Sequence, residues 1–191
     1  FLRIFAFIMK DRKLLSIELN RISADQYREQ PESGVVVILD NIRSAHNVGS
    51  AFRTGDAFKA DKVVLCGICA TPPSPEIHKT ALGAEMSVPW EKYSDTLEAI
   101  RQLREEGYTI VAVEQTEGSI KLPDFPAKAG IKGPVAFIFG NEVEGVQQSA
   151  VDCSDCALEI PQWGTKHSLN VSVTAGIVMY AISSHLISTR A

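Results

Sequence analysis

The sequence predicts an α/β fold, a mainly parallel sheet with helices on both of its faces. Two observations carry this. Residues 35–39 (Val-Val-Val-Ile-Leu) and 135–139 (Val-Ala-Phe-Ile-Phe) are unbroken apolar runs, the pattern of strands covered on both faces, whereas a strand with one wet face alternates. Between such runs lie stretches of helical spacing with their own start and stop signals, so strand and helix alternate along the chain as parallel crossovers require.

Taken in order, residues 13–30 read as one or two short helices, with Ser23 able to cap Ala24-Asp-Gln-Tyr and Pro31 closing the region. Residues 35–39 are the first core strand and 40–46 its loop. From Asn47 the apolar positions Val48, Ala51, Phe52 and Gly55 recur at helical spacing and leave Ser50, Arg53 and Thr54 opposite; Asn47 is the expected cap. Residues 62–66 form the next strand, the proline-rich stretch 71–75 a stiff loop, and 76–81 a short helix. Ser94-Asp-Thr-Leu caps a helix through Glu106 that Gly107 stops, and 108–113 is a strand. Residues 115–133 read as a long loop. The run 135–139 leads into Gly140-Asn-Glu-Val-Glu-Gly145 and a short helix to about Val151. A last strand at 157–160, stopped by Pro161, opens the closing strand, loop and helix. In that helix, read from Ser168 to Leu186, the main stripe is Leu169, Val173, Ile177 and Tyr180, with Val171, Val178, Met179, Ala181 and Ile182 off it. A helix apolar nearly all round needs cover on more than one side, and a partner subunit is the expected second cover.

A length of 191 residues, 45% hydrophobic and 22% charged, suits one domain with a substantial core. A net charge of -4 argues against a broad nucleic-acid-binding surface and leaves room for a local basic patch. No apolar run approaches the ~20 residues of a membrane span. Residues 1–8 are apolar, but no small-residue cleavage site follows; Met9-Lys-Asp-Arg-Lys reads as the natural start, with 1–8 foreign to it. Cys66/Cys69 and Cys153/Cys156 spell two Cys-x-x-Cys pairs, yet they stand far beyond the roughly 15 to 20 residues of a zinc ribbon, and Cys69 runs into Ala-Thr-Pro-Pro instead of opening a helix. No metal or redox role is expected, and free thiols favour the cytoplasm.

Ligands of such a sheet bind at the carboxyl ends of its strands. There the polar residues collect: Asn41, Arg43, Asn47, Arg53, Asn141, Glu142, Ser168 and Asn170. The common nucleotide motifs do not fit. Val146-Gln147 stands where a phosphate loop needs Lys-Ser/Thr, and no Gly-x-Gly-x-x-Gly follows the first strand. Gly-x-Ser-x-Gly is absent too. Taken singly, Asn47, Ser168 and Asn170 read as helix caps and Glu142 as a loop carboxylate.

Taken together they resemble something more specific. Asn41-x-Arg43-x3-Asn47-x-Gly49-x3-Arg53-Thr54, then Phe139-Gly140-Asn-Glu142-x2-Gly145, then Ile160-Pro161-x2-Gly164-x3-Ser168-Leu-Asn170-Val-Ser-Val173 resemble, in order and spacing, the three motifs of the SpoU/TrmH family of RNA 2'-O-ribose methyltransferases. The resemblance implies a deep C-terminal trefoil knot, a homodimer, S-adenosylmethionine as cofactor without metal, and a tRNA or rRNA partner. It implies residues 34–191 as the methyltransferase domain and 1–33 as an N-terminal extension. It places cofactor contacts at Gly140, Ile160 and Leu169 and catalysis at Asn47, Arg53, Glu142, Ser168 and Asn170. Arg53 is the base in that family; a guanidinium with a pKa above ~12 suits a phosphate clamp or an oxyanion partner equally. Gln162-Trp163 departs from the family, whose loop often has Met there. RNA contacts are expected at Arg43, Lys79, Lys166 and His167. The competing reading is a knotted RNA-binding module that has lost transfer.

Overall fold

β-Branched residues set the centre of the sheet. The structure, a computed structural model, describes residues 12–190, with side chains through Ser183 apart from Pro126. Seven strands, β1 (Val35–Asp40), β2 (Lys62–Cys66), β3 (Trp90–Tyr93), β4 (Thr109–Val113), β5 (Ile120–Lys121), β6 (Val135–Phe139) and β7 (Cys156–Glu159), lie in the order β3-β2-β1-β6-β4-β7-β5. Every pairing is parallel. All of β1 is buried, and its side chains divide by the pleat. Val35, Val37 and Leu39 enter one core with Phe52, Ile77, Val178 and Met179, while Val36 and Ile38 enter the other with Ile100, Leu103 and Ala150. Helices therefore cover both faces. On the first lie α1 (Ala24–Glu29), α2 (Ala45–Ala57), α3 (Pro75–Ala81), α4 (Ala84–Ser87), α6 (Phe125–Lys128) and α8 (Val171–Arg190); on the second lie α5 (Thr96–Glu105) and α7 (Gln148–Asp152).

From β1 the chain steps to β2 on one side, while β6 and β4 lie on the other. The carboxyl ends of β1 and β6 thus flank a switch point, where loops diverge and leave a crevice. Gly49 sets how closely α2 packs on α3. A Cβ there would come within 2.2 Å of Thr80 Oγ1 and 2.3 Å of the Ile77 carbonyl, and the Thr80 hydroxyl donates to the His46 carbonyl at 2.9 Å.

Several expectations change. Ser44, not Asn47, caps α2, its hydroxyl accepting from the Asn47 N–H at 3.3 Å; Asn47 sits inside the first turn with its amide free to bond elsewhere. Within the expected capping stretch Ser94-Asp-Thr-Leu, Asp95 is the cap of α5, accepting from the Leu97 N–H at 3.2 Å. Strand β3 went unread because Glu91 and Lys92 break its apolar pattern, as suits a sheet edge. The expected long loop carries β5, a 3-10 turn (Leu122–Asp124) and α6, pinned by Phe125 at 1% exposure.

α8 begins at Val171, and residues 168–170 remain loop. The chain itself covers one side of the helix and leaves the Leu169 to Tyr180 stripe uncovered. Ala175, Val178, Met179 and Ile182 are buried, whereas Leu169, Val173, Ile177 and Tyr180 are exposed, Tyr180 at 63%. Cys66, at the end of β2, and Cys69, in the turn after it, are both buried, and desolvation pushes the Cys66 thiol up to about 12. No described helix is long and apolar enough to cross a membrane. The expectation for residues 1–8 lies outside the described residues.

Candidate active site

The loops after β6 and β7 enclose an open cleft of about 720 Å³. Phe139 and Leu158 contribute its apolar floor. Gly140, Ile160, Ser168, Leu169, Asn170, Glu142 and His167 all line it, so the three expected cofactor contacts share one cavity with three of the five expected catalytic residues. Gly140 is where two backbones touch: a Cβ there would fall 2.1 Å from the Gly145 carbonyl carbon and 2.1 Å from the Val146 nitrogen. That contact closes the loop on itself through paired 2.9 Å hydrogen bonds between the Asn141 and Gly145 backbones.

At the cleft's edge Glu142 joins the first loop to the second. Its carboxylate accepts from the Asn47 amide at 2.8 Å and from the backbone N–H groups of Arg43 and Ser44 at 3.1 and 3.2 Å. The Asn170 amide in turn donates to the Asn47 side-chain oxygen at 3.2 Å. Burial pushes the Glu142 carboxyl up, but the hydrogen bonds from Asn47 and the backbone outweigh it and hold its pKa below the ordinary value. Such a carboxylate is a permanent acceptor near neutral pH and a weak base; its chemistry here is to fix which way Asn47 and, through it, Asn170 point.

Arg53 is not in this cleft. It lines a neighbouring groove of about 470 Å³ with Ser50, Thr54, Lys79, Thr80, Ser172 and Val173. The first turn of α8 is the wall between the two, since Val171 and Thr174 face the cleft and Ser172 and Val173 the groove. Arg43 and Lys166 are exposed and line neither cavity.

A model of the SpoU rRNA methylase family matches residues 34–180. The chain belongs to that family. Among its relatives is the 23S rRNA (guanosine-2'-O-)-methyltransferase RlmB of Nitrosomonas europaea, 32% identical over 149 residues; the match covers 78% of this chain and 55% of that one. The chain thus spans little more than half the length of this relative. The solved AdoMet-bound rRNA methyltransferase of Sinorhizobium meliloti superposes with a TM-score of 0.74 at 28% identity, covering 84% of this chain and 60% of the other. The A. aeolicus TrmH/SpoU tRNA modifying enzyme, at 23% identity, shares the fold with a TM-score of 0.74 over 87% of this chain and 83% of its own.

Within this SpoU chain, four side chains hold the loops in place, of which the sequence reading had picked out only Asn141. Buried Asp40 accepts from the Thr96 hydroxyl at 2.6 Å and from the Gln147 N–H at 2.9 Å. Asn141 donates to the Asn41 carbonyl at 2.7 Å. Glu114 accepts from the Val146 N–H at 3.0 Å, and the Gln115 amide donates to the His167 carbonyl at 2.6 Å. A polar residue at a strand's end was the available signal for Asp40 and Glu114; their partners, far along the chain, were not legible.

Proposed function

We propose that the chain binds S-adenosylmethionine in the cleft and transfers its methyl group to a ribose 2'-hydroxyl of tRNA or rRNA. The observation that carries this reading is the meeting of the three motif loops, Glu142 to Asn47 to Asn170, at the rim of a cavity lined by Gly140, Ile160 and Leu169. The fit is chemical as well as spatial. Backbone groups of those three residues beside an apolar floor suit a planar heterocycle and its ribose, and Gly140 leaves no side chain in the way. When bound, the cofactor supplies a methyl on a cationic sulfur. The chain's own task is to bring a poorly nucleophilic hydroxyl in line with it and to favour its alkoxide. Ser168 and Asn170 orient that hydroxyl, Asn47 and Glu142 orient Asn170, and Arg53 grips the adjacent phosphate or the forming oxyanion. Arg43, Lys79, Lys166 and His167 hold the RNA locally.

The same reading includes the trefoil knot. Because β7 lies between β4 and β5, the link at residues 114–119 steps across it, and the hydrogen bond from Gln115 to His167 ties that link to the loop following β7; both support a threaded chain. It also includes a methyltransferase domain at 34–191 behind an N-terminal extension, and a cytoplasmic setting. A homodimer is supported by the exposed α8 stripe Val173, Ile177 and Tyr180, which a second copy would cover. Light scattering at micromolar concentration is expected to give twice the monomer mass, and a monomer mass would remove the dimer.

Cofactor binding is tested by calorimetry with S-adenosylmethionine in the presence of a metal chelator. One molecule per chain is expected, together with a gain of about 2.7 kcal/mol in stability at a hundredfold excess over Kd, seen as a melting point raised by several degrees. No heat and no shift at millimolar cofactor would count against the whole reading.

A further inference from the structure

Trp163 is 93% exposed, the most exposed large apolar side chain described. It stands in the loop 161–170, whose two flanks, Gln162 and His167, line the cleft while Trp163 itself does not. The loop is held at one end by the Gln115 to His167 hydrogen bond. Along the sequence the loop and the helix after it are free of acids: the last of the 23 Asp and Glu residues is Glu159, and Lys166 and His167 stand three and four positions beyond Trp163, whereas Glu114, Glu142, Glu144 and Glu159 line the cleft itself, which Trp163 does not. In a chain of net charge -4, this is the longest stretch free of acids. An indole this exposed, in a loop that also carries Lys166 and whose neighbours Gln162 and His167 line a cavity, has the chemistry of a stacking platform for a nucleobase, which offers a π-face whatever its sequence, next to a phosphate that a Lys can meet.

We infer that Trp163 stacks on an unpaired base of the RNA next to the nucleotide in the cleft, with Lys166 taking the phosphate beside it. This makes Trp163 a binding residue that selects unstacked RNA over paired RNA. The inference rests on the proposed function only for the identity of the RNA as substrate.

The chain has two tryptophans, so Trp90→Phe leaves Trp163 as the sole indole reporter. Emission from that variant is expected near that of indole in water, and to be quenched by a single-stranded RNA of about 12 nucleotides but not by an abasic strand of equal length. Trp163→Ala is expected to raise the apparent KM for RNA about tenfold with kcat and the calorimetric affinity for S-adenosylmethionine unchanged, and Trp163→Phe to recover most of the loss. Quenching without any methyl transfer by the wild type would support the stacking site while removing the proposed function. Transfer by the wild type with KM unmoved in Trp163→Ala, equal quenching by the abasic strand, or a blue-shifted emission before RNA is added would each overturn the stacking site, the last because it would place Trp163 in a protein interface.

Discussion

Arg53→Ala is expected to lower kcat/KM for RNA methylation by on the order of 10²-fold while S-adenosylmethionine binds as before. The separation of effects follows from the two cavities. Arg53 lies in the groove with Lys79 and Ser50, and none of Gly140, Ile160 and Leu169, the proposed cofactor contacts, lines it. Six residues beyond Asn47 on α2, it stands about 9 Å farther along the helix axis, away from the corner where Asn170 meets Asn47. This geometry favours the clamp over the base. A clamp has a second signature: losing one phosphate contact should reduce the slope of log affinity against log salt by about 0.7 for single-stranded RNA. Arg53→Lys keeps the charge but not the planar fork, and is expected to recover little of the turnover. If Arg53 were only a surface residue of α2, both variants would methylate at the wild-type rate.

Gly140→Ala is expected to abolish measurable cofactor binding, a loss of more than about 100-fold in affinity, with a stability cost of about 1–3 kcal/mol from overpacking. The added Cβ would meet backbone, at 2.1 Å from the Gly145 carbonyl carbon and 2.1 Å from the Val146 nitrogen, and backbone has no rotamer with which to yield. The loop from Asn141 to Val146 must move as a unit, taking with it the Glu142 carboxylate that orients Asn47 and the Val146 N–H that Glu114 holds. The matched control is Gly118→Ala, where nothing lies within 4 Å of the new Cβ; it should bind cofactor normally. Calorimetry on both variants, with melting curves to show that each is folded, separates a broken cleft from a broken fold.

The sheet was legible because burial on both faces leaves a signal that needs no context: β1 and β6 are apolar at nearly every position. β3 was not, since an edge strand with Glu91 and Lys92 looks like loop until its partner β2 is known. Periodicity grouped Val173, Ile177 and Tyr180 on one face of α8, with Leu169 falling in the loop before it, but period alone does not say which face is inside; the small Ala175 with Val178 and Met179 fits against the sheet and leaves the larger stripe outward. The same limit applies to the caps. Ser44 and Asn47 are one turn apart and both can cap, and it is the carboxylate brought across from Glu142 that engages the Asn47 amide and leaves the cap to Ser44. Of the site, the motif residues were legible by resemblance, including Glu142 and Asn170. That Arg53 and Lys79 share a separate groove, and that Asp40 and Glu114 brace the loops, depended on contacts between segments remote in the chain.

The central claim, methylation of a ribose 2'-hydroxyl, is tested most directly by incubating the protein with methyl-labelled S-adenosylmethionine and tRNA or rRNA, then hydrolysing the RNA in alkali. Alkaline cleavage requires a free 2'-hydroxyl, so label placed there survives in alkali-resistant dinucleotides, and that is the expected result. Label recovered only in mononucleotides would mean a base had been methylated. That outcome, or cofactor bound with no label transferred to either RNA, would contradict the account.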